Sequence, residues 1–247
     1  MSYLRLRRAQ IILACFLLSS TLFALLPGID IAVSSLFFDG GFHISERWWQ
    51  KLLRDGMGYF VCLSLASVLG IYLLNRFTGR TLLNIDGRKV CFLFLVLALG
   101  AGLIVNTGFK DNFGRARPRD VAEFGGKKLF TPAFVVSREC STNCSFSSGE
   151  GAAGFFSLSL ALVLSRRRAL LAAAAGLGIV VSAARIIAGA HFLSDTVVSF
   201  FVMLIVTDVL YFYIVLREPD RGKAVASDGV LSPVASVVPS LESAQSD

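Results

Sequence analysis

Charge is scarce in this chain of 247 residues. Only 17% are Asp, Glu, Lys or Arg, against roughly 25% in soluble domains, which argues against a soluble globular protein. Apolar residues supply 55%, which argues equally against disorder. Histidine is nearly missing. His43 and His191 are the only two, so a metal centre built mainly from histidine is nearly excluded. Acidic residues are outnumbered 17 to 24 by Lys and Arg, for a net charge of +7. In a soluble protein that excess suggests nucleic acid. On so apolar a background it suggests membrane topology and an anionic substrate, with no nucleic-acid partner.

What is present is long uncharged runs. Residues 9–28, 56–75 and 90–109 carry no charge, and each is long enough to cross a hydrocarbon core of ~30 Å. Residues 146–165 are interrupted only by Glu150 and a few serines, 169–190 only by Arg185, and 196–216 only by Asp208. The expected fold is therefore all-α, a polytopic membrane protein with six transmembrane helices. Arg5, Arg7 and Arg8 before the first run imitate a signal peptide, but the run exceeds the usual ~7–15 apolar residues and reads as an uncleaved span.

Lysine and arginine set the orientation. Arg5, Arg7 and Arg8 precede the first span. Arg76, Arg80, Arg88 and Lys89 follow the second, Arg166-Arg167-Arg168 the fourth, and Arg217, Arg221 and Lys223 the sixth. These four segments share one side, read as cytoplasmic. The loop after the third span breaks the pattern with Lys110, Arg115, Arg117, Arg119, Lys127, Lys128 and Arg138. Loops of this length translocate whatever their charge, which permits the cluster. An anion bound at the outer surface gives it a purpose.

Residues 45–55 read as a short interfacial helix, capped by Ser45, with Trp48, Trp49, Leu52 and Leu53 toward lipid. Residues 1–223 are expected to form one membrane domain and 224–247 a disordered cytoplasmic tail. Cys15, Cys62 and Cys91 fall in or beside spans and read as buried apolar fillers. Cys140 and Cys144 lie in the outer loop, a disulfide candidate in an oxidising compartment, with free thiols the alternative.

Three clusters fall on the outward side. Lys110 to Pro118 reads KDNFGRARP, Ser147-Ser148-Gly149-Glu150 opens the fourth span, and Arg185, His191 and Asp195 straddle the fifth and sixth. Helices that alternate in direction bring all three to one membrane face. Lys110, Arg117 and Arg185 are cations able to surround a phosphate, arginine as a fork and lysine as a point charge. Ser148 and Gly149 sit where a helix begins, so free backbone N–H groups can face an anion. His191 and Asp195 are spaced i, i+4, so the carboxylate can hold one ring nitrogen and leave the other as nucleophile or base. Together they describe phosphoryl transfer with neither metal nor cofactor. Asp208, far along the sixth span, is given no role. Gly125-Gly126-Lys127-Lys128 is not a P-loop, because the spacing and the preceding strand are missing.

These pieces resemble the type 2 phosphatidic acid phosphatase (PAP2) superfamily, whose signature is Lys-x6-Arg-Pro, then Pro-Ser-Gly-His, then Ser-Arg-x5-His-x3-Asp. The resemblance spans the whole six-helix core and implies a PAP2/haloperoxidase-like helical fold. It implies that Lys110, Arg117 and Arg185 bind phosphate, that Ser148 and Gly149 contribute to the oxyanion site, that His191 attacks phosphorus, and that Asp195 orients it. Two positions depart. Ala184 stands where the family has serine, and Glu150 stands where it has the histidine that acts as general acid. Burial would raise the pKa of Glu150, while three cations and a helix N-terminus would lower it; the residue types leave the sign open. The wording Cys140-x3-Cys144-Ser-Phe-Ser-Ser-Gly-Glu looks like a bacterial subgroup that includes lipid A phosphatases. The expectation is a metal-independent phosphatase of the bacterial inner membrane, its site facing the periplasm. Its substrate would be an anionic phospholipid or glycolipid, first lipid A at its 1- or 4'-phosphate. Phosphatidylglycerophosphate and undecaprenyl diphosphate are the alternatives. A different class, a degenerate protein that binds lipid phosphate without turnover, rests on Glu150 alone.

Overall fold

The computed structural model describes residues 2–216; the tail expected at 224–247 lies outside the described residues. Helix α1 spans Ser2–Leu25 and stops at Pro27, which has no N–H to continue it. A short helix α2, Gly28–Ser35, follows and buries Asp30 and Ser34. Helix α3 is one continuous rod, Trp48–Thr78, ended by Gly79 in the left-handed conformation. Helix α4, Gly87–Leu95, is capped by Asp86, whose carboxylate accepts from the Lys89 N–H at 2.9 Å. It runs on as a π-type helix, Val96–Lys110. After a long loop come α5 (Gly149–Leu164), α6 (Arg168–Ile187) and α7 (Leu193–Leu210), the last extended by a π-type turn to Leu216.

Among the described residues, five helical stretches are long and apolar enough to cross a membrane: Arg7–Leu25, Trp48–Thr78, Gly87–Lys110, Arg168–Ile187 and Leu193–Leu216. The remaining expected span, the fourth, is α5; it has 16 residues, or about 24 Å at 1.5 Å per residue. It packs against α3, α4, α6 and α7, with most of its surface buried. Such burial needs small side chains and internally satisfied polar groups. A Cβ built on Gly154 would stand 3.1 Å from the Cα of Gly178. Ser157 Oγ donates to the carbonyls of Gly154 and Ala174, and Ser159 pairs with Thr207 at 2.7 Å.

The separate interfacial helix does not form. Residues 48–55 are the first two turns of α3, and Ser45 falls in a 3-10 turn, His43–Glu46, without capping it. A single glycine at 56 costs only about 1 kcal/mol in a helix, too little to break a rod of 31 residues. The cysteines of the spans also differ from expectation. Cys15, Cys62 and Cys91 are exposed on helix surfaces, where a thiol is apolar enough to face hydrocarbon.

The loop between α4 and α5 covers the end of the bundle. Phe113 and Phe134 pack on Phe146, with centroids 5.1 Å away in both cases. Gly114, at φ +57°, makes its turn; a Cβ there would collide with the Ser137 carbonyl oxygen. Cys140 and Cys144 face each other in a disulfide, Cα atoms 5.6 Å apart. At the opposite end of the bundle Asp208 pairs with Arg8 at 3.0 Å.

Candidate active site

Alternation of helix direction puts the C-terminal ends of α4 and α6 beside the N-terminal ends of α5 and α7. Lys110 closes the π-type helix, Ser148 caps α5, Arg185 lies in the last turn of α6, and Asp195 in the first turn of α7. His191 sits in the tight link between α6 and α7 and is fully buried.

The ring of His191 is fixed by a backbone carbonyl. Its Nδ1 lies 2.7 Å from Ser145 O, and a carbonyl only accepts, so Nδ1 carries the proton and donates. The direct grip expected from Asp195 is absent. Its Oδ2 stands 3.7 Å from Nδ1, close enough to act by charge but too far for a hydrogen bond. Both Asp195 oxygens are already taken: Arg115 Nη1 donates at 2.6 Å, Ser145 Oγ at 2.5 Å and the Phe192 N–H at 2.8 Å. Ser145 thus bridges the pair, with its hydroxyl on the carboxylate and its carbonyl on the ring.

Arg115 is spent inside this network and does not face a ligand, contrary to its place in the outer cationic cluster. Its guanidinium binds Asp195, Ser194 and Asp30, the last at 2.8 Å, and lies over the Phe192 ring at 4.3 Å. Asp30 also accepts from the N–H and hydroxyl of Ser194. Burial pushes the Asp30 carboxyl above its ordinary range, against the pull of Arg115.

Nε2 of His191 points the other way, 3.2 Å from Glu150 Oε2, and the other Glu150 oxygen lies 3.7 Å from Arg185 Nη2. Lys110, Arg117 and Arg185 are all within electrostatic reach of the Glu150 carboxylate. Arg117 is held by the Asn143 carbonyl and side chain at 2.8 and 2.9 Å. Burial lowers its pKa from the ordinary value while Glu150 opposes the shift; an arginine remains a cation regardless. Gly149 sits close to its neighbours: a Cβ there would meet Asn106 Oδ1 at 3.1 Å and the Lys110 ammonium at 3.6 Å. The Ser148 hydroxyl accepts from the Gly151 N–H, so Ser148 works as a helix cap. Of the other basic loop residues, Arg119 interacts electrostatically with Arg117 and Arg185 at the rim, while Lys127 and Arg138 are exposed.

The sequence pattern of the PAP2 superfamily matches residues 90–218. The lipid A 4'-phosphatase of Francisella tularensis subsp. novicida is 32% identical over 207 residues, covering 76% of this chain and 87% of that one. The chain belongs to the PAP2 superfamily. The lipid A 4'-phosphatase of Rhizobium leguminosarum is likewise 32% identical over 206 residues, covering 74% of this chain and 86% of its own length. In fold, this PAP2 protein is similar to the first transmembrane PAP2 type phosphatidylglycerolphosphate phosphatase from Bacillus subtilis. The TM-score is 0.56 at 16% identity, over 86% of this chain and 98% of that one. It is a multi-pass bacterial membrane phosphatase of PAP2 type.

Against that family frame, three residues of this PAP2 protein escaped the sequence reading. Asp30 lies in α2, which no periodicity announced. Ser145 acts through both its carbonyl and its hydroxyl. Gln50 donates to the Ala184 carbonyl at 2.8 Å, beside Arg185, and ties α3 to the site at the position where the family's serine is replaced.

Proposed function

We propose that this protein removes a phosphate from lipid A at the periplasmic face of the bacterial inner membrane, by way of a phosphohistidine and without a metal. The observation that carries the reading is His191 with Nδ1 committed to Ser145 and Nε2 directed toward a carboxyl group among three cations. A buried donor there, Arg185 Nε, holds no hydrogen-bond partner among the described residues. Buried polar atoms are rarely left so, and a phosphate supplies an acceptor. The 4'-phosphate is the first choice because the curated relatives in Francisella and Rhizobium are lipid A 4'-phosphatases.

The steps follow from the geometry. Lys110, Arg117 and Arg185 neutralise the phosphoryl oxygens. Nε2 forms a bond to phosphorus as the phosphorus–oxygen bond to the sugar breaks, and Glu150 protonates the departing oxygen. Glu150, now a carboxylate, takes a proton from water, which attacks phosphorus and releases His191 and inorganic phosphate. Asp195 stabilises the imidazolium-like charge from 3.7 Å. In this reading α5 is the fourth of six spans, short because its neighbours surround it, and the Cys140–Cys144 disulfide holds the loop that carries Arg117.

Phosphate release from purified protein, tested in EDTA on lipid A, phosphatidylglycerophosphate and undecaprenyl diphosphate, checks the proposal. Release from lipid A well above the other two is expected. Preference for either of those would move the substrate, and release that depends on added magnesium would overturn the mechanism.

A further inference from the structure

Helix α5 packs closely on both α6 and α7, but α6 and α7 touch each other little. Between them a cleft of about 440 Å³ opens on the outer surface of the bundle. Ala175, Ile179, Ser182 and Ile186 line it from α6, and Val197 and Phe200 from α7. Phe155 of α5 meets Phe200 there edge to face, ring centroids 4.9 Å apart. Ile179 is 61% exposed at its mouth.

Three features select the occupant. The cleft adjoins the phosphate site, because Ile186 follows Arg185, and Leu193 and Thr196, which also line it, flank Asp195. From Ala175 to Ile186 it runs about 16 Å along α6 at 1.5 Å per residue. That is about half of a ~30 Å hydrocarbon core, one leaflet measured from the site's end. Its accessible wall is apolar throughout, the kind of surface an acyl chain covers.

We propose that the α6–α7 cleft is a substrate subsite that takes one acyl chain of the lipid whose phosphate sits at His191. This rests on the lipid-phosphatase reading above. The chain would hang from the site into its own leaflet, and its contacts would hold the phosphate in register with Nε2. Chain contacts distant from the reacting atoms then contribute to rate, because they position the reacting end.

Photo-crosslinking tests it on the full chain in lipid nanodiscs. The probe is a long-chain acyl glycerol phosphate with a mid-chain diazirine, compared with its phosphate-free counterpart. Labelling of Ile179, Val197 or Phe200 about tenfold stronger with the phosphate probe is expected, the discrimination one well-bound phosphate supplies. Equal labelling by both probes would mean bulk lipid alone fills the cleft and would overturn the proposal. So would phosphate-selective labelling confined to α3 or α4, or a cleft that neither probe labels. A second measurement uses Ala183→Phe, which narrows the cleft. The ratio of kcat/KM for a long-chain lipid phosphate to that for p-nitrophenyl phosphate should fall about tenfold; an unchanged ratio would count against the subsite. Selective cleft labelling by a protein that releases no phosphate from any lipid would uphold the subsite while removing the phosphatase reading.

Discussion

Glu150 occupies the space in front of the nucleophile, 3.2 Å from His191 Nε2. Because Nδ1 already donates to Ser145, Nε2 is the ring nitrogen that faces the Glu150 carboxyl group. A carboxyl so placed is positioned to protonate the leaving oxygen. Glu150→Gln should therefore lower lipid turnover by about 10²–10⁴-fold, with a much smaller loss on p-nitrophenyl phosphate, whose leaving group needs little protonation. Equal losses on both substrates would make Glu150 structural. Asp30 acts at one remove, by anchoring Arg115 and so the Asp195 carboxylate. Asp30→Asn should lower kcat by about 10²-fold through misplacement of the histidine and leave KM nearly unchanged; a change in KM alone would show that Asp30 serves binding instead. Lys110, Arg117, Arg185 and His191 were legible because spacing within short motifs carried them. Asp30, Ser145 and Gln50 were not. Their partners lie 85, 46 and 134 residues away in sequence, and only the closed bundle brings them together.

Hydropathy found the helices and misjudged how they begin and which residues they bury. The charged stretch before Gly56 reads as interfacial, but backbone hydrogen bonding carries α3 straight through it. At the α5–α6 seam the sequence shows only scattered glycine and alanine among apolar residues. The structure shows why Gly178 must be small: a Cβ there would fall 2.3 Å from the Phe155 ring. Gly178→Leu should cost about 1–3 kcal/mol by overpacking, read as a lower Tm in detergent and a reduced yield of folded protein. An unchanged Tm would mean that Phe155 moves aside freely.

For the whole molecule, the layout predicts that the loop carrying Lys127 faces the periplasm. A Lys127→Cys variant in intact spheroplasts should react with a membrane-impermeant maleimide, since residue 127 is exposed. Labelling only after lysis would invert the topology. The proposed chemistry needs three cations around a histidine whose free nitrogen attacks phosphorus. Rapid quenching of turnover on radiolabelled lipid A, followed by peptide mapping, tests it. An acid-labile, alkali-stable phosphoryl group on His191, formed in EDTA and absent from His191→Ala, is expected. Steady phosphate release with no phosphoenzyme at any time, or undiminished activity in His191→Ala, would contradict it.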